Sequence, residues 1–332
     1  MEIVQGIHQI KLPRPVGAAL DHTNVYMVEG TKGNLLIDTG LDTPEAFGAL
    51  RDALKFGGFG FKDIPLILAT HIHPDHYGMI DKLKQLSGAK VATSDIEAKF
   101  IDSRYTKPDG LLKQVKQLFQ SNGVPEERLT ELSEAAMEIR QFVGVVKPDI
   151  MLKDGDPITV ASSEFKVIVT PGHASGHICL YEPKRKLLFS GDHILPDVFP
   201  HVGLHPQSGE NPLGDFFKSL EALSKLEVNF IFPGHGSVFS GFKLRLSELS
   251  YYHEQRRQAV TRIIEKDTKS AYQIATEIPW MPGGEAIKFD KLSASDKRMA
   301  VMETMAQLKF MMVEGKAEKV VKDNVNLYWG GG

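Results

Sequence analysis

A continuous apolar run, Ile64 to Ala69 (IPLILA), leads without a break into Thr70-His71-Ile72-His73-Pro74-Asp75-His76. A run of this length suits a strand buried on both faces of a sheet. The histidines behind it therefore occupy a strand-end loop, where open α/β sheets place their sites. In locally extended backbone His71 and His73 point the same way. Two imidazoles so spaced can share one metal ion, and Asp75 and His76 are then available to a second. Zinc accepts imidazole nitrogen and carboxylate oxygen in four-coordinate sites, so further ligands must come from elsewhere in the chain. Three candidates each lie beyond a strand-like run: His173 in TPGHASGH after FKVIVT, Asp192 in SGDH after KLLFS, and His235 in PGHG after FIF. Each is flanked by glycine, which lets backbone turn sharply and approach a ligand closely.

The rest of the chain supports an α/β frame around these loops. Val25 to Glu29 and Asn34 to Asp38 read as strands joined through Gly30 and Gly33. Thr43 and Pro44 open a helix whose apolar positions are Ala46, Phe47, Leu50 and Leu54. Ile80, Leu83 and Leu86 predict a helix ending at Gly88, and Lys90 to Thr93 a strand. From about Glu97 to Lys147 the sequence is polar and helical in pattern, which reads as a helical insertion. Strands resume at Ile158–Val160, Phe165–Thr170, Ile178–Tyr181, Leu187–Ser190 and Phe230–Phe232, with a helix over Pro212–Lys225. Alternation of this kind favours a layered α/β architecture.

Beyond Gly241 the pattern becomes helical: Leu244 to Lys266, Ser270 to Glu277, and a third helix opened by Ser293 and Asp296 at capping-box spacing. That helix carries the stripe Met299, Met302, Met305, Leu308 and Met312, read as core. Two strands around Lys322–Asn324 follow, so the tail reads as a winged-helix-like module. The domain expectation is 1–240, with the insertion at about 97–147, and 241–332.

THIHPDH, then PGH, SGD and PGHG, in this order and after predicted strands, resembles the metallo-β-lactamase superfamily over roughly residues 1–240. The resemblance implies an αββα sandwich with metals at one edge. It implies that His71, His73 and His173 hold a first ion, that Asp75, His76 and His235 hold a second, and that Asp192 bridges them. True zinc β-lactamases bear cysteine at or near a second-metal position; none lies there in this chain. The set resembles the glyoxalase II and thioesterase-like branch, and the tail resembles that of the lactamase-β-like branch, where it covers the site or shapes the cleft. The function this implies is a dinuclear metal-dependent hydrolase attacking an acyl thioester or ester with a metal-bridging hydroxide. The expected cofactor is two Zn²⁺, with iron or manganese as alternatives. Asp75 is expected to orient the nucleophile as well as ligate. Asp38 is expected to support ligands from behind, or to cap the next turn; His177 and His193 are expected to be structural.

The loop after Asp192, DVFPHVGLHPQSGENPLG, is read as a wall of the substrate pocket or as a loop turned to solvent. His201 and His205 within it, and Tyr77, are the candidate substrate contacts. Lys99, Arg104, Lys107, Lys113 and Lys116 in the insertion offer attraction to an anionic substrate or form a solvated face. The insertion itself reads as a lid, a structural elaboration or a dimer surface. Net charge is -3, which gives no global pull toward nucleic acid or anionic lipid. A small-molecule acyl substrate is favoured over nucleic acid. The single cysteine, Cys179, excludes an internal disulfide framework and is read as a buried apolar residue. With no basic and apolar leader and no ~20-residue apolar span, the expectation is a cytoplasmic protein. Alternatives are a metal-dependent endoribonuclease or phosphodiesterase, a persulfide dioxygenase-like enzyme with one iron, and a non-catalytic DNA-binding regulator. Oligomeric state is left open by the sequence.

Overall fold

Two β-sheets stack face to face, and helices cover the outer side of each. The computed structural model describes residues 2–14, 20–135, 137–160, 163–281 and 286–331. The first sheet holds β1 (Glu2–Val4), β2 (Ile7–Pro13), β3 (His22–Val28), β4 (Leu35–Ile37), β5 (Leu66–Leu68), β6 (Lys90–Ser94) and β7 (Ile150–Leu152), in that order. Pairing is antiparallel from β1 to β4 and parallel from β4 to β7. The second sheet holds β8 (Pro157–Val160), β9 (Ser163–Val169), β10 (Ile178–Glu182), β11 (Leu187–Gly191) and β12 (Phe230–Pro233), in the order β12-β11-β10-β9-β8. Because β9 and β11 each run antiparallel to β10, and β12 runs parallel to β11, the ends of β9, β11 and β12 emerge on one edge.

The inner faces bury Tyr26, Ile37 and Leu68 against Phe165, Val167, Phe189 and Phe232. Each such side chain removed from water contributes about 1.5–3 kcal/mol. On the outer face of the first sheet lie α1 (Pro44–Phe56), α2 (Pro74–Tyr77) and α3 (Ile80–Ser87). Thr43 caps α1 by accepting from the Ala46 N–H at 3.1 Å, and Ala46, Leu50 and Leu54 turn inward as their spacing predicts. Gly88 ends α3 in the left-handed conformation, φ 79°, which only glycine adopts freely.

The insertion is helical and opens slightly earlier than expected. It comprises α4 (Asp95–Ile101), a π-helical stretch over Asp102–Thr106, α5 (Asp109–Ser121), α6 (Glu126–Glu134) and a 3-10 turn over Glu138–Phe142. The outer face of the second sheet carries α7 (Pro212–Ser224) and α8 (Phe242–Ile264), which bury Phe216, Leu220 and Leu249 against Leu188 and Ile231. The tail continues with α9 (Ala271–Glu277), α10 (Ala294–Val313) and an antiparallel hairpin of β13 (Ala317–Lys322) and β14 (Val325–Gly330). Ser270 and Gln273 close a capping box on α9.

Helix α10 is buried on nearly every side from Ala300 to Leu308. Such a helix must be enclosed by neighbours, and the insertion supplies several. Val115 and Phe119 of α5 and Leu129 and Leu132 of α6 share one apolar cluster with Ile274, Val301, Met305, Leu308 and Tyr328 of the tail. The insertion and the tail thus meet over one end of the sandwich. Strands β1, β2 and β7 were not foreseen; β1 and β7 have three residues each, too few to show a period. Among the described residues no helix is long and apolar enough to cross a membrane.

Candidate metal centre

The candidate ligands all leave the sandwich from the same edge. His71, His73, Asp75 and His76 follow β5, His173 follows β9, Asp192 follows β11, and His235 follows β12. The seven side chains, drawn from four loops far apart in the chain, converge. His73 Nδ1 lies 2.9 Å from His71 Nε2 and 2.9 Å from His173 Nε2. Asp192 places Oδ1 3.3 Å from His76 Nε2 and Oδ2 3.3 Å from His235 Nε2 and 3.7 Å from His173 Nε2. Asp75 Oδ2 lies 3.3 Å from His235 Nε2. Three sets offer ligand atoms within 4.8 Å of one another: His71, His73 and His173; Asp75, His76 and His235; and His71, His76 and Asp192.

A second layer of hydrogen bonds fixes which nitrogen of each ring faces inward. Asp38 accepts from the Thr70 backbone N–H at 2.7 Å, from Thr70 Oγ1 at 3.0 Å, and from His76 Nδ1 at 2.8 Å. With its hydroxyl proton given to Asp38, Thr70 Oγ1 accepts from His71 Nδ1 at 3.0 Å. His173 Nδ1 donates to the His201 carbonyl at 2.9 Å, and His235 Nδ1 to the His22 carbonyl at 2.7 Å. In the neutral rings the protons therefore sit on Nδ1, leaving Nε2 of His71, His76, His173 and His235 as lone pairs aimed into the cluster. Among the described residues His76 Nε2 and Asp192 Oδ1 are buried without a hydrogen-bond partner. Converging lone pairs with orphaned acceptors among them do not satisfy one another. A divalent cation does satisfy them, and the imidazole and carboxylate donor set fits one.

The electrostatics divide the cluster in two. Burial, then the neighbouring imidazoles, hold His71 well below the usual histidine pKa, and burial with His173 does the same for His73. In the other half burial is outweighed by charge. Asp192, Asp38 and Asp75 lift His76 well above its ordinary value, and Asp192 leads in raising His235 to about 9. Asp75 and Asp192 are held well below the carboxylate range against burial, Asp75 chiefly by Arg14 and Asp192 chiefly by His235. Asp75 and Asp192 thus stay ionised at neutral pH, supplying the negative charge that a pair of divalent ions needs beside it.

The glycines of the motifs are explained by close approach. A Cβ on Gly234 would sit 2.3 Å from Asp192 Oδ1 and 2.7 Å from His76 Cε1. Gly191 has φ +46°, and a Cβ there would sit 2.5 Å from His177 Nε2. Side chains elsewhere hold the loops down. Asn24 Nδ2 donates to the Pro233 and Gly236 carbonyls at 2.9 Å each, and Tyr26 donates to the Pro233 carbonyl at 2.8 Å. Buried Glu97 accepts from the Ile72 N–H at 3.0 Å and from the Gly176 N–H at 2.9 Å, tying the loops after β5 and β9 together.

A family model described as the metallo-beta-lactamase superfamily matches residues 18–235. The chain belongs to the metallo-beta-lactamase superfamily. With that fold and clusters able to hold metal it is a metal-dependent hydrolase. It is 29% identical to a metallo-beta-lactamase family protein of Thermus thermophilus, TTHA1429, whose crystal structure it matches with TM-score 0.83 over 99% of this chain and 100% of that one. It is 26% identical to the probable metallo-hydrolase YqjP of Bacillus subtilis over 81% of this chain and 83% of the relative. It is 28% identical to the acyl-coenzyme A thioesterase MBLAC2 of Bos taurus over 68% of this chain and 76% of the relative.

Within this metallo-beta-lactamase fold the cluster of candidate ligands opens into a cavity of about 480 Å³ lined by His73, Asp75, His173, Asp192 and His235. His201 and His205 line the same cavity, so their loop forms a wall rather than a solvent-facing turn. Tyr77 is a correction. It is fully buried, its hydroxyl donates to the Val146 carbonyl, and it packs in the core outside the first sheet; the tyrosines on the cavity are Tyr252 and Tyr105, the latter one ring away and stacked on Tyr77. His177 accepts the Asp192 N–H at Nε2, 3.2 Å, and bonds Thr170 through Nδ1, 2.8 Å, which places it behind the cluster. His193 is fully buried, 4.7 Å from the Phe216 ring, and burial holds it at about 3 and so neutral. Cys179 is buried, and burial pushes its thiol up to about 12. Glu97, Tyr105 and Arg14 were not singled out from the sequence, since nothing in a polar helical stretch or a hairpin end marks them.

Asp38 provides a direct check on the second layer. Asn fits the same backbone, φ 62°, a conformation that Asn tolerates, but its amide cannot accept all three bonds. Asp38→Asn is expected to weaken metal binding by about 10–100-fold, measured by competition against a chromophoric chelator. Unchanged affinity would mean that Asp38 does not orient His76.

Proposed function

We propose that the chain hydrolyses an acyl thioester or ester. In this proposal His71, His73 and His173 hold one metal ion, Asp75, His76 and His235 hold the other, and Asp192 bridges, with zinc as the ion. The observation that carries the proposal is the juxtaposition of the converged lone pairs with a partly open cavity of about 480 Å³ whose lining combines apolar side chains with charged ones, a size and character that suit a small organic substrate. Its similarity to the acyl-coenzyme A thioesterase MBLAC2 supports the thioester. Two divalent ions held by these residues would supply an acidified water at neutral pH and polarise the acyl oxygen.

The chain's own residues set the rest. Asp75 lines the cavity, with Oδ2 between His235 Nε2 at 3.3 Å and Arg14 Nη1 at 3.4 Å. Held ionised, it accepts a hydrogen bond from the attacking water and turns it toward the acyl carbon. Tyr105, Phe199 and Met299 narrow the cavity around the acyl group and limit water beside it. Residues 1–240 carry the chemistry in this proposal, and residues 241–332, as a winged-helix-like tail, join the insertion to form the cavity roof. The apolar side chains of the lining, Leu111, Val115, Leu292 and Met299 among them, favour a small molecule over a nucleic-acid strand, which needs a continuous basic groove.

A panel of N-acetylcysteamine thioesters, p-nitrophenyl esters, lactones and bis-p-nitrophenyl phosphate tests the proposal on the natively purified protein. Thioester or ester turnover is expected to exceed phosphodiester turnover, to be lost on chelation and to return with zinc. Phosphodiester cleavage without acyl hydrolysis would overturn it.

A further inference from the structure

The cavity onto which the candidate metal ligands open also collects cations that are not among those ligands. Arg104, Arg140 and Arg298 line it together with His73, Asp75 and Asp192. They come from three separate elements: the π-helical stretch after α4, the 3-10 turn after α6, and α10. Their hydrogen bonds go to neutral acceptors. Arg104 Nε donates to Gln207 Oε1 at 3.0 Å, and Arg298 Nη1 donates to the Leu132 and Ser133 carbonyls at 3.1 Å each. Arg140 Nη1 is buried with no hydrogen-bond partner among the described residues.

Among the described residues none of the three arginines is ion-paired, and the carboxylates that share the cavity are engaged elsewhere. Asp75 faces Arg14, Asp296 accepts from Ser293 Oγ at 2.7 Å, and Glu303 lies 3.4 Å from Arg256 Nε and 3.2 Å from the Tyr252 hydroxyl. Asp109, exposed on α5, attracts Arg140 without reaching ion-pair distance. The arginines instead act on one another. After burial, Arg104 and Arg140 bring Arg298 down to about 10, and Arg104 also lowers Arg140. The lysines of the insertion behave differently: Lys99, Lys107, Lys113 and Lys116 are exposed to solvent.

Gathering like charges in a partly buried space, with one guanidinium nitrogen unsatisfied, costs stability unless an anion offsets it. Guanidinium forks match the oxygens of carboxylate and phosphate. Apolar side chains, among them Leu111, Val115, Leu292 and Met299, line the same cavity, so a ligand there meets both characters. We propose that Arg104, Arg140 and Arg298 bind a carboxylate or phosphate carried by the substrate, so that the preferred substrates are acyl compounds with a second, negatively charged end. The inference rests on the reading of this cavity as the acyl-substrate site.

The test is calorimetric binding of hexanoate, butyl phosphate and neutral hexanamide to the natively purified metal-loaded protein and to its Arg140→Gln and Arg298→Gln variants, with metal content measured in each. Either anion is expected to bind the parent more tightly than hexanamide and to lose at least ~10-fold in affinity in Arg140→Gln at unchanged metal content. The tighter of the two anions identifies carboxylate or phosphate as the substrate's charged group. Arg298 also holds the Leu132 and Ser133 carbonyls, so Arg140→Gln, which removes no side-chain hydrogen bond among the described residues, decides if Arg298→Gln misfolds. Equal anion binding in parent and Arg140→Gln would overturn the inference, as would no preference over hexanamide. Because binding is read apart from turnover, arginine-dependent anion binding without thioester hydrolysis would sink the proposed reaction and leave the arginine site standing. Hydrolysis with arginine-independent binding would do the reverse.

Discussion

Asp192→Ala is expected to lower turnover by roughly a thousandfold or more and to leave the purified protein short of metal. The several kcal/mol that a bound divalent ion contributes to the transition state corresponds to about that factor. Asp192 is the carboxylate on which the two halves of the cluster meet. One oxygen faces His76 and the other faces His235 and His173, at 3.3 to 3.7 Å. Its removal takes a negative charge from between His76 and His235, two rings whose pKa values the carboxylates hold high. Two effects then work in the same direction on the protein. The candidate metal site loses a carboxylate, and the apo-protein loses the charge that pairs with His76 and His235. A folded, metal-poor, inactive protein is the expected outcome, checked by circular dichroism, metal content and the acyl panel together. Full activity in the variant would remove Asp192 from the centre.

Phe189→Ala is expected to cost about 3–5 kcal/mol in stability, the range for emptying a buried aromatic site. Phe189 is 1% exposed and stands on β11 between the sheets. Its ring stacks on Phe232 at 4.6 Å and meets Tyr26 at 5.3 Å and Phe165 at 5.8 Å edge-on. It therefore touches both sheets and two of the strands that end in candidate ligands, β11 and β12. Chemical denaturation reads the loss as a lower midpoint. A loss below about 1 kcal/mol would show that the sheets do not lean on this cluster.

The sequence exposed the candidate ligands because each stands in a short block directly behind an apolar run, glycine-flanked for His173, Asp192 and His235. That arrangement is local: a buried strand ends, backbone turns, and a ligand emerges. His71, His73, Asp75, His76, His173, Asp192 and His235 come together in the structure for this reason. Helix α1 was legible through Thr43, Pro44 and the Leu50–Leu54 spacing, and α3 through Gly88. What was not legible depends on packing between distant segments. Glu97 looks like one more charge in a helical stretch, yet it is buried and bonded to two loops. Arg140 and Arg298 matter only once the insertion and α10 close over the same cavity, which no local period encodes. Tyr77 lies beside the ligand block, but the turn of α2 carries it into the core. The short strands β1 and β7 become strands only by pairing with a neighbour already in place.

The most direct test of the central account is elemental analysis of the natively purified chain by inductively coupled plasma mass spectrometry. About two divalent ions per chain are expected, the load of a two-metal hydrolytic site, with zinc predominant. A chain that carries no metal, or a single iron that survives replacement of both Asp75 and His235, would contradict it.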